Sequence, residues 1–147
     1  LDPTPEGSRN QLINAIYRGV QDIRAFIRFN NLMIEENGNP FGICPDKITS
    51  FGVGTGGYIA LAAASLDDQN KIYIPKFQDP VTGESFIDTL LVGDVYGLTQ
   101  GLINIPNHVG YSSDLHFCFN AGGALGDESW VDENTPPIAA AHVVSDP

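Results

Sequence analysis

The part of the chain best suited to chemistry is a glycine-rich run at residues 52–57, Gly-Val-Gly-Thr-Gly-Gly. It stands between a β-branched run and an apolar run, which predicts a sharp strand-to-helix turn where backbone N–H groups converge. A phosphate-binding Walker loop is excluded, because the Gly-Lys-Ser/Thr ending that contacts phosphate and magnesium is missing. Gly52, Gly54 and Gly57 do satisfy the dinucleotide pattern G-x-G-x-x-G. The acidic residue that would hold a ribose is absent, so a nucleotide-binding α/β domain is the less favoured alternative.

The same run also fits the nucleophile elbow G-x-S-x-G, a strained turn that lifts a serine above a sheet. Gly52 and Gly56 occupy the flanking positions, where a side chain would come too close to neighbouring strands. The central position, where the attacking serine would stand, holds Gly54. We therefore expect Gly54 at the tip of a strand-turn-helix elbow without a nucleophile. Thr55 follows one residue later and points in a different direction.

Other residues of types that often act in sites have simpler structural explanations here. Cys44 and Cys118 lack the spacing of a metal site and predict two buried thiols or one optional disulfide. His142 lies in an apolar run and predicts a hydrogen-bonded core histidine, whereas Trp130 predicts a partly buried aromatic residue. Four acids fit no calcium-loop consensus and predict a solvated face: Asp127, Glu128, Asp132 and Glu133. We predict no cofactor and no metal.

The charge of the chain is strongly acidic and unevenly distributed. Seven Lys and Arg against eighteen Asp and Glu in 147 residues give a formal net charge of −11 at pH 7. Residues 77–147 hold ten of the acids and no Lys or Arg, which leaves residues 1–76 near neutrality. This surface excludes nucleic acid and anionic membranes as partners. No apolar run approaches the ~20 residues of a membrane span.

Hydrophobic patterning predicts the elements that must hold the glycine-rich turn. Apolar residues at steps of three and four predict a helix over about 8–37, which also carries four arginines. The remaining predicted elements are a strand at 47–53, a helix at 58–66 and strands at 115–120 and 137–144. This order predicts a single α/β domain over 1–147, with a mainly parallel sheet flanked by helices. Proline and glycine break every periodic run within 70–112, which predicts a cap-like or irregular insertion there.

Three separated runs of the chain share features with one known fold family. Residues 18–29 match an arginine-containing helix with an Asp-x-Arg-Ala-like run, and residues 41–61 match a Gly-Ile-Asp-Pro-Asp-Lys-Ile-like turn followed by a Gly-x-Ser-Ala-Gly-Gly elbow. Residues 122–147 match two further strands, the second of which usually reads Pro-Pro-hydrophobic-His-Gly-Thr-x-Asp-Pro. Together these runs resemble the esterase and lipase group of the α/β-hydrolase family, over roughly residues 10–66 and 115–147.

The resemblance implies a site and also shows what this site lacks. By the family's pattern Asp146 is the acid of a catalytic triad, Gly54 is the nucleophile position, and Thr55 supplies the backbone amide that follows it. The triad histidine would follow Asp146 and the oxyanion loop would precede Leu1, so the hydrolase-like domain is expected to be incomplete at both ends. The three histidines all precede Asp146 and match no triad position: His108, His116 and His142.

These observations predict a hydrolase relative that no longer hydrolyses and that acts in binding or assembly outside the cell. Other copies of the chain, or other segments of the parent protein, are expected to cover its sheet edges, because open strands invite pairing. The surface that contacts these copies or segments is expected in the first half of the chain, residues 1–76, where the charges balance and the four arginines lie. The alternative is a working carboxylesterase or lipase whose missing segments, or replaced serine, supply the triad. The start at Leu1, without Met or signal peptide, suggests a processed or incomplete product.

Overall fold

The computed structural model describes residues 4–144 and contains a three-stranded parallel sheet with helices on one side. The helices and strands are, in chain order, α1 (Pro5–Glu36), β1 (Thr49–Val53), α2 (Thr55–Ser65), α3 (Thr89–Val92), β2 (Phe117–Ala121) and β3 (Ile138–Ala141). The strands pair in the order β1-β2-β3, with Phe51 opposite Phe119 and Phe119 opposite Ala139. The predicted mixed α/β class with a parallel sheet is confirmed.

The sheet has one covered face and one uncovered face. On the covered face, Cys118 packs against the small apolar residues of α2, and α1 packs in turn on α2. On the opposite face, Phe51 and Val53 are 70% and 63% exposed, and the Phe51 ring stacks on Phe119 with centroids 5.4 Å apart. Parallel sheets are ordinarily covered on both faces. Within the described residues, this sheet therefore lacks a layer over Phe51.

The buried side of α1 is polar as well as apolar, which the hydrophobic pattern did not predict. Val20 and Ile27 are buried, but Phe26, one of the apolar residues on which the predicted helix over 8–37 is based, is 65% exposed. A second line of side chains, at alternating steps of three and four residues, donates hydrogen bonds to backbone carbonyl groups outside α1. We call this line the donor stripe; it consists of Asn14, Tyr17, Gln21, Arg24, Arg28 and Asn31.

The donor stripe holds the irregular part of the chain. Residues 70–112, predicted to be a cap-like or irregular insertion, contain α3 and short 3-10 turns and add no strand to the described sheet. A segment without a regular ladder must find other partners for its carbonyl groups. Five of the six stripe residues donate to carbonyls between Phe86 and Ser112, at distances from 2.6 to 3.0 Å. The segment thus folds against α1.

The two arginines of the stripe are buried, and neither forms an ion pair among the described residues. Arg24 Nη2 donates to the carbonyl of Leu66, 2.9 Å away, at the end of α2, where a cation complements the exposed carbonyl groups. Its guanidinium also lies 4.2 Å from the Tyr96 ring centroid. Arg24 and Arg28 are 5% and 1% exposed. Of the four arginines in the first half of the chain, these two are therefore part of the core and not of an exposed surface.

Replacing Arg28 by Met should unfold the chain more easily. Arg28 Nε and Nη1 donate to the carbonyls of Asn107 and Tyr96, at 2.9 and 2.7 Å, and Met would leave both acceptors without these bonds. We expect Arg28→Met to lower the free energy of unfolding by about 2–4 kcal/mol. The matched control Arg18→Met, on the exposed side of the same helix, should change it by less than about 0.5 kcal/mol. Urea denaturation followed by circular dichroism measures both, and equal losses would contradict a specific role for the stripe.

Candidate functional site

The glycine-rich run forms a sharp turn between β1 and α2, with Gly54 at its tip. β1 ends at Val53, α2 begins at Thr55, and Gly54 has φ +54° and ψ −121°, a conformation that glycine adopts far more readily than other residues. The Gly54 N–H donates to the carbonyl of Ala121, 2.8 Å away at the end of β2. The Gly54 carbonyl accepts from the Gly57 N–H at 2.8 Å. The turn is thereby tied to both the neighbouring strand and its own helix.

Close backbone contacts surround the turn, although not at every predicted glycine. A Cβ atom on Gly52 would overlap the carbonyl of Gly56, so a side chain is excluded there. A Cβ atom on Gly57 would overlap the side chain of Asn120 and the backbone of Gly123. Gly56, predicted to be required by close approach, has open space around it. The crowded positions are therefore Gly52 and Gly57, and Gly57 is crowded because α2 begins in direct contact with the turn that follows β2.

A buried asparagine fixes the far side of this contact. Asn120, 1% exposed at the end of β2, donates from Nδ2 to the Gly123 carbonyl and accepts at Oδ1 from the Gly123 N–H, both at 2.9 Å. Its Nδ2 also lies 3.1 Å from Nε2 of His142. Asn120 was not among the residues predicted to form the site. The signal was present in its position, since a polar residue at the buried carboxyl end of a strand, directly before Ala-Gly-Gly, needs a local partner.

His142 lies at the same end of the sheet as the turn. It follows β3 directly and is exposed, so the expected core histidine is instead a surface histidine hydrogen-bonded to Asn120. A cavity of about 360 Å³ beside it is lined by Ala121, Gly122, Ala141, His142 and Val143. Because all three strands are parallel, their carboxyl ends meet at this edge, which is where ligands bind in open α/β sheets.

The chemistry available at the turn is limited to backbone groups, one imidazole and the hydroxyl of Thr55, which lies one residue past the nucleophile position. Gly54 carries no hydroxyl or thiol that could attack a carbonyl carbon. The Thr55 N–H belongs to the first turn of α2, where amides have no acceptor within the helix and can donate to an anionic ligand. Asp146, the expected acid, lies outside the described residues. The arrangement can therefore orient or bind a polar group, but it lacks a nucleophile at the position where the fold would present one.

The remaining candidates from the sequence have structural roles. Trp130 is 5% exposed, and its Nε1 donates to the Lys71 carbonyl at 2.8 Å, so it is a core residue rather than a stacking surface. Asp132 lies 2.7 Å from Lys71 Nζ, which holds the pKa of this carboxyl below its usual value. Cys118 is buried, which raises the pKa of its thiol, whereas Cys44 is exposed; both are free. Among the described residues, no three His, Cys, Asp or Glu side chains converge as metal ligands.

Alanine substitutions along the turn should distinguish the loss of stability caused by a strained backbone from the loss caused by steric overlap of the added methyl group. Gly54→Ala has space for its methyl group but must adopt a positive φ, so we expect a loss of about 1–3 kcal/mol in unfolding free energy. Gly56→Ala, the matched control two residues away, has neither problem and should be neutral or stabilising by up to about 1 kcal/mol. Gly57→Ala should cost more than Gly54→Ala, because a rigid backbone opposes its methyl group.

Thermal denaturation of the three variants measures this order directly. A Gly56→Ala loss as large as that of Gly57→Ala would contradict the assignment of the crowded position.

Comparison with known proteins does not assign this arrangement to a family. A scan against protein-family models finds no match, and searches of curated proteins and of solved structures find none either. No helix in residues 4–144 is both long and apolar enough to cross a membrane. The turn and the surface of the sheet are therefore the features of the molecule that bear on its function.

Proposed function

We propose that this chain is part of an α/β-hydrolase-like domain that does not hydrolyse esters and that serves in binding or assembly. The observation that carries the proposal is Gly54, which stands at the tip of the turn between β1 and α2, where the hydrolase pattern has its serine. The backbone there has the strained conformation of an elbow. The side chain that would use this strain for chemistry is absent.

Two features support the relation to the hydrolase fold. The strands run parallel in chain order, so the ends of β2 and β3 lie beside the turn, as the resemblance implies for the strands after the elbow. The close contact of Gly57 with Gly123 brings the start of α2 against the end of β2. This places the amides of the helix N-terminus at the carboxyl edge of the sheet, where an acyl group would be held in an active relative.

The absence of a nucleophile at the tip of the turn favours a role in binding over a role in catalysis. Covalent ester hydrolysis requires an activated hydroxyl or thiol within hydrogen-bond reach of a base, and removing the attacking residue eliminates most of the acceleration. At the nucleophile position the turn offers only backbone amide donors, which can stabilise a bound carbonyl oxygen but cannot form an acyl-enzyme. The exposed apolar residues of the sheet, Phe51 and Val53, provide a surface for a protein partner instead. That partner is a further copy of the chain or another segment of the parent protein.

One observation favours the second candidate, a carboxylesterase or lipase whose serine has been replaced. An ideal Cβ atom on Gly54 meets nothing within 4 Å, so a serine side chain would fit the tip without displacing a neighbour. The packing of the turn therefore does not itself require glycine at this position. The conformation of its backbone does favour it.

The wild-type chain should not hydrolyse short p-nitrophenyl esters above the rate in buffer, because the turn has no nucleophile. Spectrophotometric assay with the acetate and butyrate esters measures this, and Gly54→Ser with its control Gly56→Ser separates the two candidates. We expect no turnover from any of the three proteins. Wild-type turnover that a serine-reactive phosphonate abolishes would contradict the proposal. Turnover restored only in Gly54→Ser would favour the replaced-serine candidate.

A further inference from the structure

An apolar groove lies between α1 and the outer edge of β1. It has a volume of about 340 Å³ and is walled by Ile23, Phe26 and Ile27 of α1, by Thr49 to Phe51 of β1, and by neighbouring apolar residues. Its volume is more than twice that of the engineered cavity of about 150 Å³ that binds benzene. The groove therefore has room for an aromatic side chain.

The strand beside the groove is unpaired on that side. β1 pairs only with β2 within the described residues and forms one edge of the sheet. Ser50, 8% exposed, lines the groove, and its hydroxyl has no hydrogen-bond partner in residues 4–144 beyond the weakly polar thiol of Cys118. An open edge with an unsatisfied buried hydroxyl is costly and prone to association. Both observations indicate a surface that is covered in the working protein.

The same surface carries the aromatic groups that could fill such a groove. Phe26 and Phe51, which both form part of the groove wall, are 65% and 70% exposed. One patch thus presents both a cavity and projecting rings. This combination is the requirement for an isologous contact, in which the same patch of two copies meets across a two-fold axis.

Charge permits two copies to meet here. No residue that lines the groove is charged, and all of them except Leu115 belong to residues 1–76, the half whose formal charges nearly cancel. A contact through the acids of residues 77–147 would bring like charges together and cause repulsion. Electrostatics therefore favours this uncharged patch over surfaces that present those acids for self-association.

The exposed apolar area of the patch fits a small interface. Phe26 and Phe51, of roughly 200 Å² each and 65% and 70% exposed, offer on the order of 270 Å² of apolar surface. The groove walls and the edge of β1 add to this. A standard interface buries about 800 Å² on each partner, so a contact through this patch belongs to the small class that gives weak, concentration-dependent association.

We infer that this patch is the interface of a homodimer, in which Phe26 and Phe51 of each copy cover the groove and the β1 edge of the other. The inference rests on the proposed assembly role and specifies its partner as a second copy of this chain. The dimer would cover the exposed side of Phe51 and the apolar walls of the groove, and no lining residue would bring a charge into the interface.

Sedimentation equilibrium of the purified chain, from about 1 to about 100 µM, tests the inference. We expect the wild type to reach twice the mass of one 15.8 kDa chain. Phe26→Asp should weaken the dimer at least about tenfold, because an unpaired carboxylate would be buried in the interface. Phe51→Asp, on a different element, provides a second test if Phe26→Asp does not fold by circular dichroism. The matched control Leu102→Asp, at a site 83% exposed and away from the groove, should dimerise like the wild type.

Three results would overturn the inference. A wild type that stays monomeric over the whole range would mean that another polypeptide segment, and not a second copy, covers the groove. Dimers that survive both Phe26→Asp and Phe51→Asp would place the interface elsewhere, and equal weakening by Leu102→Asp would indicate unspecific association. The ester assay on the same samples is independent, since turnover by an intact dimer would contradict the lack of hydrolysis alone.

Discussion

The fold depends on hydrogen bonds from one helix to the backbone of a segment that has little regular structure. Carbonyl groups that do not belong to a strand ladder must accept hydrogen bonds from other donors. Without them, the free-energy cost of burying these groups exceeds the gain from packing the segment. The donor stripe of α1 meets this need at five of its six positions along one face. Its long side chains reach over the apolar residues between them, so Val20 and Ile27 can remain in contact with the core while their polar neighbours hold the segment 86–112.

The same stripe links that segment to the turn. Arg24 binds the last carbonyls of α2 and lies over Tyr96, so one guanidinium joins α1, α2 and the irregular segment. α2 in turn begins at the tip residue Gly54 and contacts Gly123 through Gly57. The orientation of the turn relative to the sheet therefore depends on contacts at both ends of an eleven-residue helix. Burial of Arg24 and Arg28 without carboxylates is tolerable because carbonyl oxygens and an aromatic face replace part of their hydration.

Residue patterns within short stretches of the sequence predicted the helices and strands well. Contacts between residues far apart in the sequence could not be predicted from such patterns. Strand β1, the turn at Gly54 and the helix after it could be predicted because β-branched residues, glycines and an apolar run follow one another directly. The role of Arg28 could not, since its acceptors lie 68 and 79 residues away. Phe26 fitted the helical apolar period and is nevertheless exposed, because periodicity does not distinguish a core from an uncovered groove. Gly56 and Gly57 are indistinguishable in sequence, and only the position of Gly123 decides which of them is crowded.

Because the space above Gly54 is open, the backbone shape of the turn does not depend on the side chain at its tip. Strand pairing, the bond to Ala121 and the contact at Gly57 hold the backbone in place, and none of these involves a side chain at the tip. The tip is therefore a position at which a label can be attached. A cysteine placed there would project from the carboxyl edge of the sheet, whereas Cys118 is buried. Once the exposed Cys44 is replaced, a fluorophore or spin label at the tip could report on ligands arriving at that edge without disturbing the core.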